Sequence, residues 1–258
     1  MKPLQEYLQD TLDFYSFVID FTIRRHADMP ELSYRHILEK ESIFRWLLRT
    51  SRMDLFKNPP IMTPFLEAAE KSADDTQFRQ NMEALRETLS GYIQEIYPAI
   101  PPEHPMYGKD HCLRFEQGNS DAFPANICHF HMFNSISPKS FLADEAYFIG
   151  ELERIMTEAE QLGCDTLYTK TWLNSNPRFL QLLPQEWSDN LEPPVYTLAN
   201  HLGVNGQFVT ADGGLNRKTA DYFLENGKIK YPPRSSRCSF ENLKKHIAER
   251  KKALEIQA

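Results

Sequence analysis

The residues with the most chemical potential sit at His129-Phe130-His131, in a run that continues to Asn134. On a strand, residues two apart share a face, so both imidazoles project the same way with Cα atoms about 6.6 Å apart. Such a pair can supply two ligands to one metal ion. A third ligand is then needed, and Glu116, Asp165 and His201 lie at no recognised spacing from the pair. The same geometry equally serves two hydrogen-bonded histidines lining a pocket or a polar layer.

A second set, Thr171-Trp172-Leu173-Asn174-Ser175-Asn176-Pro177, falls where a strand gives way to a helix. In open α/β sheets ligands gather at the carboxyl ends of strands, and a Trp, two Asn and a Ser there can form a binding wall. Ser175 or Asn176 can equally be a helix cap beside a packed Trp. A third set, Tyr231 to Ser239, interleaves Arg234 and Arg237 with hydroxyls and can hold a phosphate or carboxylate. Pro232 and Ser239 in that set read as a stop and a cap, which leaves Arg234 as the open position. Serine nucleophile chemistry finds no Gly-x-Ser-x-Gly elbow. Cys128 and His129, as strand neighbours, point to opposite faces, which argues against a thiol–imidazole pair. Asp144-Glu145 reads as helix-start charge, and Lys244-Lys245 with Arg250-Lys251-Lys252 as a solvated basic face.

Composition limits what those residues can be doing. The 258-residue chain has 29 Lys and Arg against 36 Asp and Glu, a balance unsuited to backbone-driven nucleic-acid binding. Its 10 glycines form no Gly-x-Gly-x-x-Gly and no Gly-Lys-Ser/Thr, so a nicotinamide or flavin fingerprint and a Walker loop are absent. Cys112, Cys128, Cys164 and Cys238 are widely spaced, which suits reduced thiols in a cytoplasmic protein. The first six residues are polar too early for a signal peptide, and Ser16 and Asp20 interrupt the apolar stretch from Phe14 to Ile23. The expected partner is a small-molecule substrate, without nucleic acid or membrane; oligomeric state is not legible, and no metal ligand is assigned.

Hydrophobic spacing then says which elements position these residues. Leu4, Tyr7, Leu8, Leu12, Tyr15, Val18 and Ile19 recur at helical spacing, closed by Met29-Pro30. A second helix is predicted from Leu32 to Thr50, a third from Thr63-Pro64, and a fourth carrying Phe78, Met82, Leu85, Leu89 and Ile93. Residues 1–97 are thus a helical domain, and the proline-rich stretch 98–110 a linker. Residues 111–258 alternate strand and helix. Strands are predicted at Cys112–Glu116, Asn126–Phe133 and Asp165–Trp172, with a further segment at Gln207–Thr210. Helices are predicted at Phe141–Leu162, from Asn176-Pro177, from Asn216 to Gly227, and from Ser239 to the C-terminus. The fold class is therefore α/β, a mixed sheet preceded by a small helical bundle.

From Asn126 onward the order of elements resembles the core of GNAT-like acyltransferase domains: a central strand, a helix, a splayed neighbouring strand and another helix. It is most similar to a poorly characterised bacterial branch with a helical N-terminal region, matched by His129-Phe130-His131 and Thr171-Trp172-Leu173-Asn174 within residues 111–258. The resemblance implies transfer of an acyl group from a thioester donor such as acyl-CoA to an amine or hydroxyl. It implies His131 as base, His129 and Asn134 as orienting groups, and Trp172 and Asn174 as walls of the acceptor site. Where that family carries a glycine-bearing pyrophosphate loop, this chain reads Asn134-Ser135-Ile136-Ser137-Pro138-Lys139-Ser140. Ser135, Ser137, Lys139 and Ser140, with Arg234, are then the candidate cofactor-binding residues. Two other functions remain open: a metal-dependent enzyme using His129 and His131, and a non-catalytic ligand- or protein-binding module.

Overall fold

The computed structural model describes residues 2–48, 60–100 and 111–257. Its longer helices are α1 (Leu4–Asp28), α2 (Met62–Glu70), α3 (Asp75–Glu83), α4 (Arg86–Ile96), α5 (Glu145–Gln161), α6 (Arg217–Asn226) and α7 (Phe240–Gln257). Its strands are β1 (Leu113–Gln117), β2 (Ile127–Met132), β3 (Thr166–Thr171) and β4 (Arg234–Ser239). The fold is mixed α/β, and the chain forms two compact units, each built from two segments.

The helical unit joins Met1–Pro102 to Tyr196–Lys230. That second segment lies within the stretch that the sequence assigns to the α/β half. The reason is aromatic packing. Phe208 and Phe223 are fully buried against Phe17 and Phe21 of α1, with Phe21 and Phe223 stacked at 4.4 Å. The α1 surface is therefore apolar beyond one stripe, and α6 covers what the neighbouring helices leave.

Local chemistry also breaks two of the predicted helices. In place of a continuous helix from Leu32, the chain makes Tyr34–His36, a π-turn at Ile37–Glu41 and Phe44–Leu47. Glu41 in that turn is buried and accepts the Arg25 guanidinium at 2.7 Å. The Phe78–Ile93 stripe is carried by two helices, α3 and α4, which keep Phe78, Met82, Leu89 and Ile93 buried. Gln207–Thr210 is a short 3₁₀ turn followed by a single bridge from Val209 to Leu215, not a strand. Most of the predicted linker, residues 101–110, lies outside the described residues.

The α/β unit joins Glu103–Val195 to Tyr231–Ala258. Its four strands lie in the order β1-β2-β3-β4, with β2 and β3 parallel and both outer pairs antiparallel. β2 and β3 are parallel because α5 carries the chain back between them. Gly163, in the left-handed region at φ 84°, turns the chain after α5. Phe148, Leu152, Ile155 and Ala159 of α5 and Leu243 and Ile247 of α7 form one core with Cys128, Phe130, Leu167 and Cys238 of the sheet. Alternation therefore sends the odd-numbered residues of β2 to the opposite sheet face.

Sequence periodicity does not reveal β4. Arg234-Ser235-Ser236-Arg237-Cys238-Ser239 has no β-branched or aromatic residue, yet it pairs with β3 from Thr166↔Ser239 to Thr171↔Arg234. The parallel pair is shorter. β2 and β3 are matched only from Ile127↔Thr166 to His129↔Tyr168, and each strand runs on for three more residues.

Candidate functional site on the sheet

The two histidines share a face of β2, and the register brings charged and aromatic partners to them. Glu116 lies opposite His129, Arg114 opposite His131, and Tyr168 beside His129 on β3. The His129 and His131 rings are 4.5 Å apart, and Tyr168 meets His129 edge-on at 5.2 Å. Phe123, from the β1–β2 connection, stacks parallel on His129 at 5.7 Å. That connection is tight: a Cβ on Gly118 would collide with the carbonyl oxygens of Phe123 and Pro124.

The group has distinct electrostatic states. Arg114 donates to Glu116 at 2.7 Å and holds its carboxyl below the usual carboxylate range, against the opposing effect of partial burial. Burial pushes the His129 imidazole down; Arg114 adds to this and Glu116 opposes it. His129 is thus neutral near pH 7, while Glu116 is ionised. His131 Nε2 lies 3.7 Å from Glu116 Oε1, within ion-pair reach but beyond a hydrogen bond.

These residues do not assemble a recognisable metal centre. Among the described residues no group of three or more His, Cys, Asp or Glu is arranged to hold a metal. Of the three candidate ligands, Glu116 is engaged by Arg114, Asp165 binds Asn126 and Thr166, and His201 belongs to the helical unit. Cys128 faces the core, and burial pushes its thiol up, as it does those of Cys112 and Cys238.

The other sequence candidates are tied into the scaffold. Asn174 is fully buried: its Nδ2 donates to Thr169 O and Arg234 O, and its Oδ1 accepts from Trp187 Nε1. It joins β3 to β4 and to the core, with both of its amide hydrogens committed. Trp172 is half-buried and lies 6.0 Å from the Tyr231 ring. Arg234 donates from Nε to the carbonyl of Glu192 and from Nη2 to that of Leu191. Asn176, one of the two proposed caps, accepts from Arg178 N and opens the Pro177–Leu180 turn.

The loop after β2 closes on itself. Asn134 clamps its two ends, donating to Lys139 O and accepting from Phe141 N. Ser140 caps the Phe141–Ala143 turn, Lys139 N donates to Ile136 O, and Ser135 Oγ meets Tyr147 Oη at 3.4 Å. Ser137 and Lys139 are exposed. At the start of α5, Asp144 caps Tyr147 N and Glu145 ion-pairs with Arg250. Asp144 and Glu145 place two carboxylates beside the loop at the helix start, while the Ser137 hydroxyl and Lys139 ammonium stay on the exposed side.

Sequence reasoning missed Arg114, Phe123 and Tyr168. Each is an ordinary strand or turn residue until register sets it beside His129, and Glu116 gains its role the same way. No helix among the described residues is long and apolar enough to cross a membrane. Comparison with known proteins gives no matching family model, no matching curated protein and no matching solved structure.

Proposed function

We propose that the α/β unit is a GNAT-like acyltransferase, moving an acyl group from a thioester donor to an amine or hydroxyl on a small molecule. The observation that carries this reading is the early end of the β2–β3 ladder beside the imidazole pair. Two parallel strands that part at their carboxyl ends leave backbone groups free to align an extended ligand. Phe133 turns its N–H to Cys112 O on the β1 side, so Met132 turns its N–H toward β3, beyond the last matched pair.

In this reading the thioester lies between the two strand ends with its carbonyl oxygen on the Met132 N–H. The acceptor nitrogen or oxygen attacks the carbonyl carbon while the His131 imidazole takes its proton. Charge develops on the carbonyl oxygen, where the amide donor is already fixed in place. Collapse breaks the C–S bond, and the departing thiolate recovers a proton from the imidazolium. Glu116 stabilises that imidazolium, and neutral His129 adds no like charge 4.5 Å away. The four cysteines, all free and buried, suit a reducing cytoplasm.

The test is a panel of acyl-CoA donors of increasing chain length. A donor that raises the melting temperature, with His131→Ala abolishing transfer but leaving the melting temperature of the free protein within a few degrees, supports the reading. No shift and no transfer with any donor overturns it.

A further inference from the structure

The sheet face that carries the imidazole pair is electrically lopsided. Register and alternation put Arg114 and Glu116 of β1, His129 and His131 of β2, Tyr168 and Lys170 of β3, and Ser235 and Arg237 of β4 on that one face. On β1 the charges cancel, because Arg114 holds Glu116 at 2.7 Å. Across the sheet they do not. Lys170 and Arg237 are exposed, and neither side chain has a hydrogen bond or ion pair among the described residues. Tyr168 stands between His129 and Arg237, its ring edge-on to the imidazole and its hydroxyl 3.3 Å from Ser235 Oγ. Lys170 belongs to the part of β3 that runs on past its last match with β2, beside the end of the strand that bears His131. With neutral imidazoles these strand residues carry two positive charges in excess, in a chain whose net charge is −7. The excess lies one and two strands from β2, about 5 and 10 Å away along the sheet.

We propose that Lys170 and Arg237 select the acyl acceptor, and that it is an amine carrying an anionic group, a carboxylate or a phosphate. The inference rests on the acyl-transfer reading of the same site. The acceptor's amine then lies at His131 and its anion points across the sheet toward β4, where it meets the two uncommitted cations. A polyamine or other cationic acceptor meets like charge there and is turned away. Neither cation touches the reacting atoms in this arrangement, so both set specificity through acceptor affinity and not through the chemical step. The same excess steers anions to the face, an effect that falls as salt rises.

The test gives the full chain a panel of acyl-CoA donors with matched acceptors: the amino acids against their α-amides, O-phosphoethanolamine against ethanolamine, and putrescine. An amino acid amide has the less basic amine, so intrinsic reactivity at neutral pH favours the amide, and a preference for the acid reports the protein. The expected result is a kcat/KM at least about tenfold higher for the anionic member of one pair, the size of a charge-assisted contact; which pair responds tells carboxylate from phosphate. Lys170→Gln with Arg237→Gln loses that preference through KM, and Lys170→Glu with Arg237→Glu turns it toward putrescine. Both positions are exposed, and melting curves check that the variants are folded. Transfer with no anionic preference, or a preference that survives Lys170→Gln with Arg237→Gln, overturns the assignment and keeps the acyl-transfer reading. A second readout needs no donor: the histidine ring resonances are followed by NMR as each acceptor is added. Shifts produced by an anionic acceptor and lost in Lys170→Gln with Arg237→Gln, without transfer from any thioester, keep the anion site and remove the acyl-transfer reading. Neither shifts nor transfer removes both.

Discussion

Asn174→Ala separates a scaffold role from a site role for a residue that sequence placed in an acceptor wall. The side chain makes three hydrogen bonds in a fully buried position: to Thr169 O at 3.1 Å, to Arg234 O at 2.7 Å and from Trp187 Nε1 at 3.0 Å. The two donated bonds are worth about 1 kcal/mol each net, and the indole N–H stranded in the core costs about 1–3 kcal/mol. Truncation therefore costs the α/β unit about 3–5 kcal/mol, much of the stability of a domain this size. Urea unfolding followed by tryptophan fluorescence reads the loss as a fall in midpoint at constant slope. In a Trp187→Phe background the stranded donor is gone, so Asn174→Ala costs about 1–3 kcal/mol less than in the natural protein. A cost below about 1 kcal/mol, or the same cost in both backgrounds, would refute the reasoning. So would lost turnover at unchanged stability, because that is how an acceptor-wall residue behaves.

Three further predictions rest on the same geometry. Burial depresses His129 and His246, so as pH falls below the ordinary histidine range the unfolded chain takes up protons first and stability declines. Melting temperature rises from pH 5 to 7, and His129→Gln with His246→Gln flattens that rise; an unchanged slope contradicts the assignment. Cys112, Cys128, Cys164 and Cys238 are buried, with the Cys112 thiol pushed up to about 12, so a thiol reagent labels the native protein far more slowly than the urea-unfolded chain. Rapid labelling of any of the four in native buffer counts against the core. Gly118→Ala forces backbone apart at the β1–β2 connection and moves Phe123 off His129, with a stability loss of at least about 2 kcal/mol by denaturant melt; a neutral outcome denies the close approach.

How far the fold was legible follows from which signals are local. Helix α1, the β2 strand, α5 with its Gly163 stop, the Asn176 cap and the α6 helix ending at Gly227 all follow from short-range spacing and turn chemistry. The Ser239 cap of α7 does too, its hydroxyl accepting from Asn242 N. What escaped depends on partners distant in sequence. Strand β4 lacks bulky apolar residues because β3 and Trp187 supply its packing: Ser236 Oγ donates to Trp187 O. Residues 196–230 return to α1 through Phe208 and Phe223, which no local pattern announces. The site divides the same way. Placing His129 and His131 on one face needs only the strand period, whereas Arg114, Glu116, Phe123 and Tyr168 join them through register. Asn174 misled because a polar residue at a strand end has the same sequence signature whether it meets a substrate or ties two strands together.

The central claim is tested most directly by free-thiol release from a panel of acyl-CoA thioesters with pooled amine and hydroxyl acceptors, comparing the natural protein with a folded His131→Gln variant. The account predicts acceptor-dependent thiol release from at least one donor, falling about 100-fold or more in the variant through loss of the general base. Thiol release absent with every donor, or undiminished in His131→Gln, would contradict it.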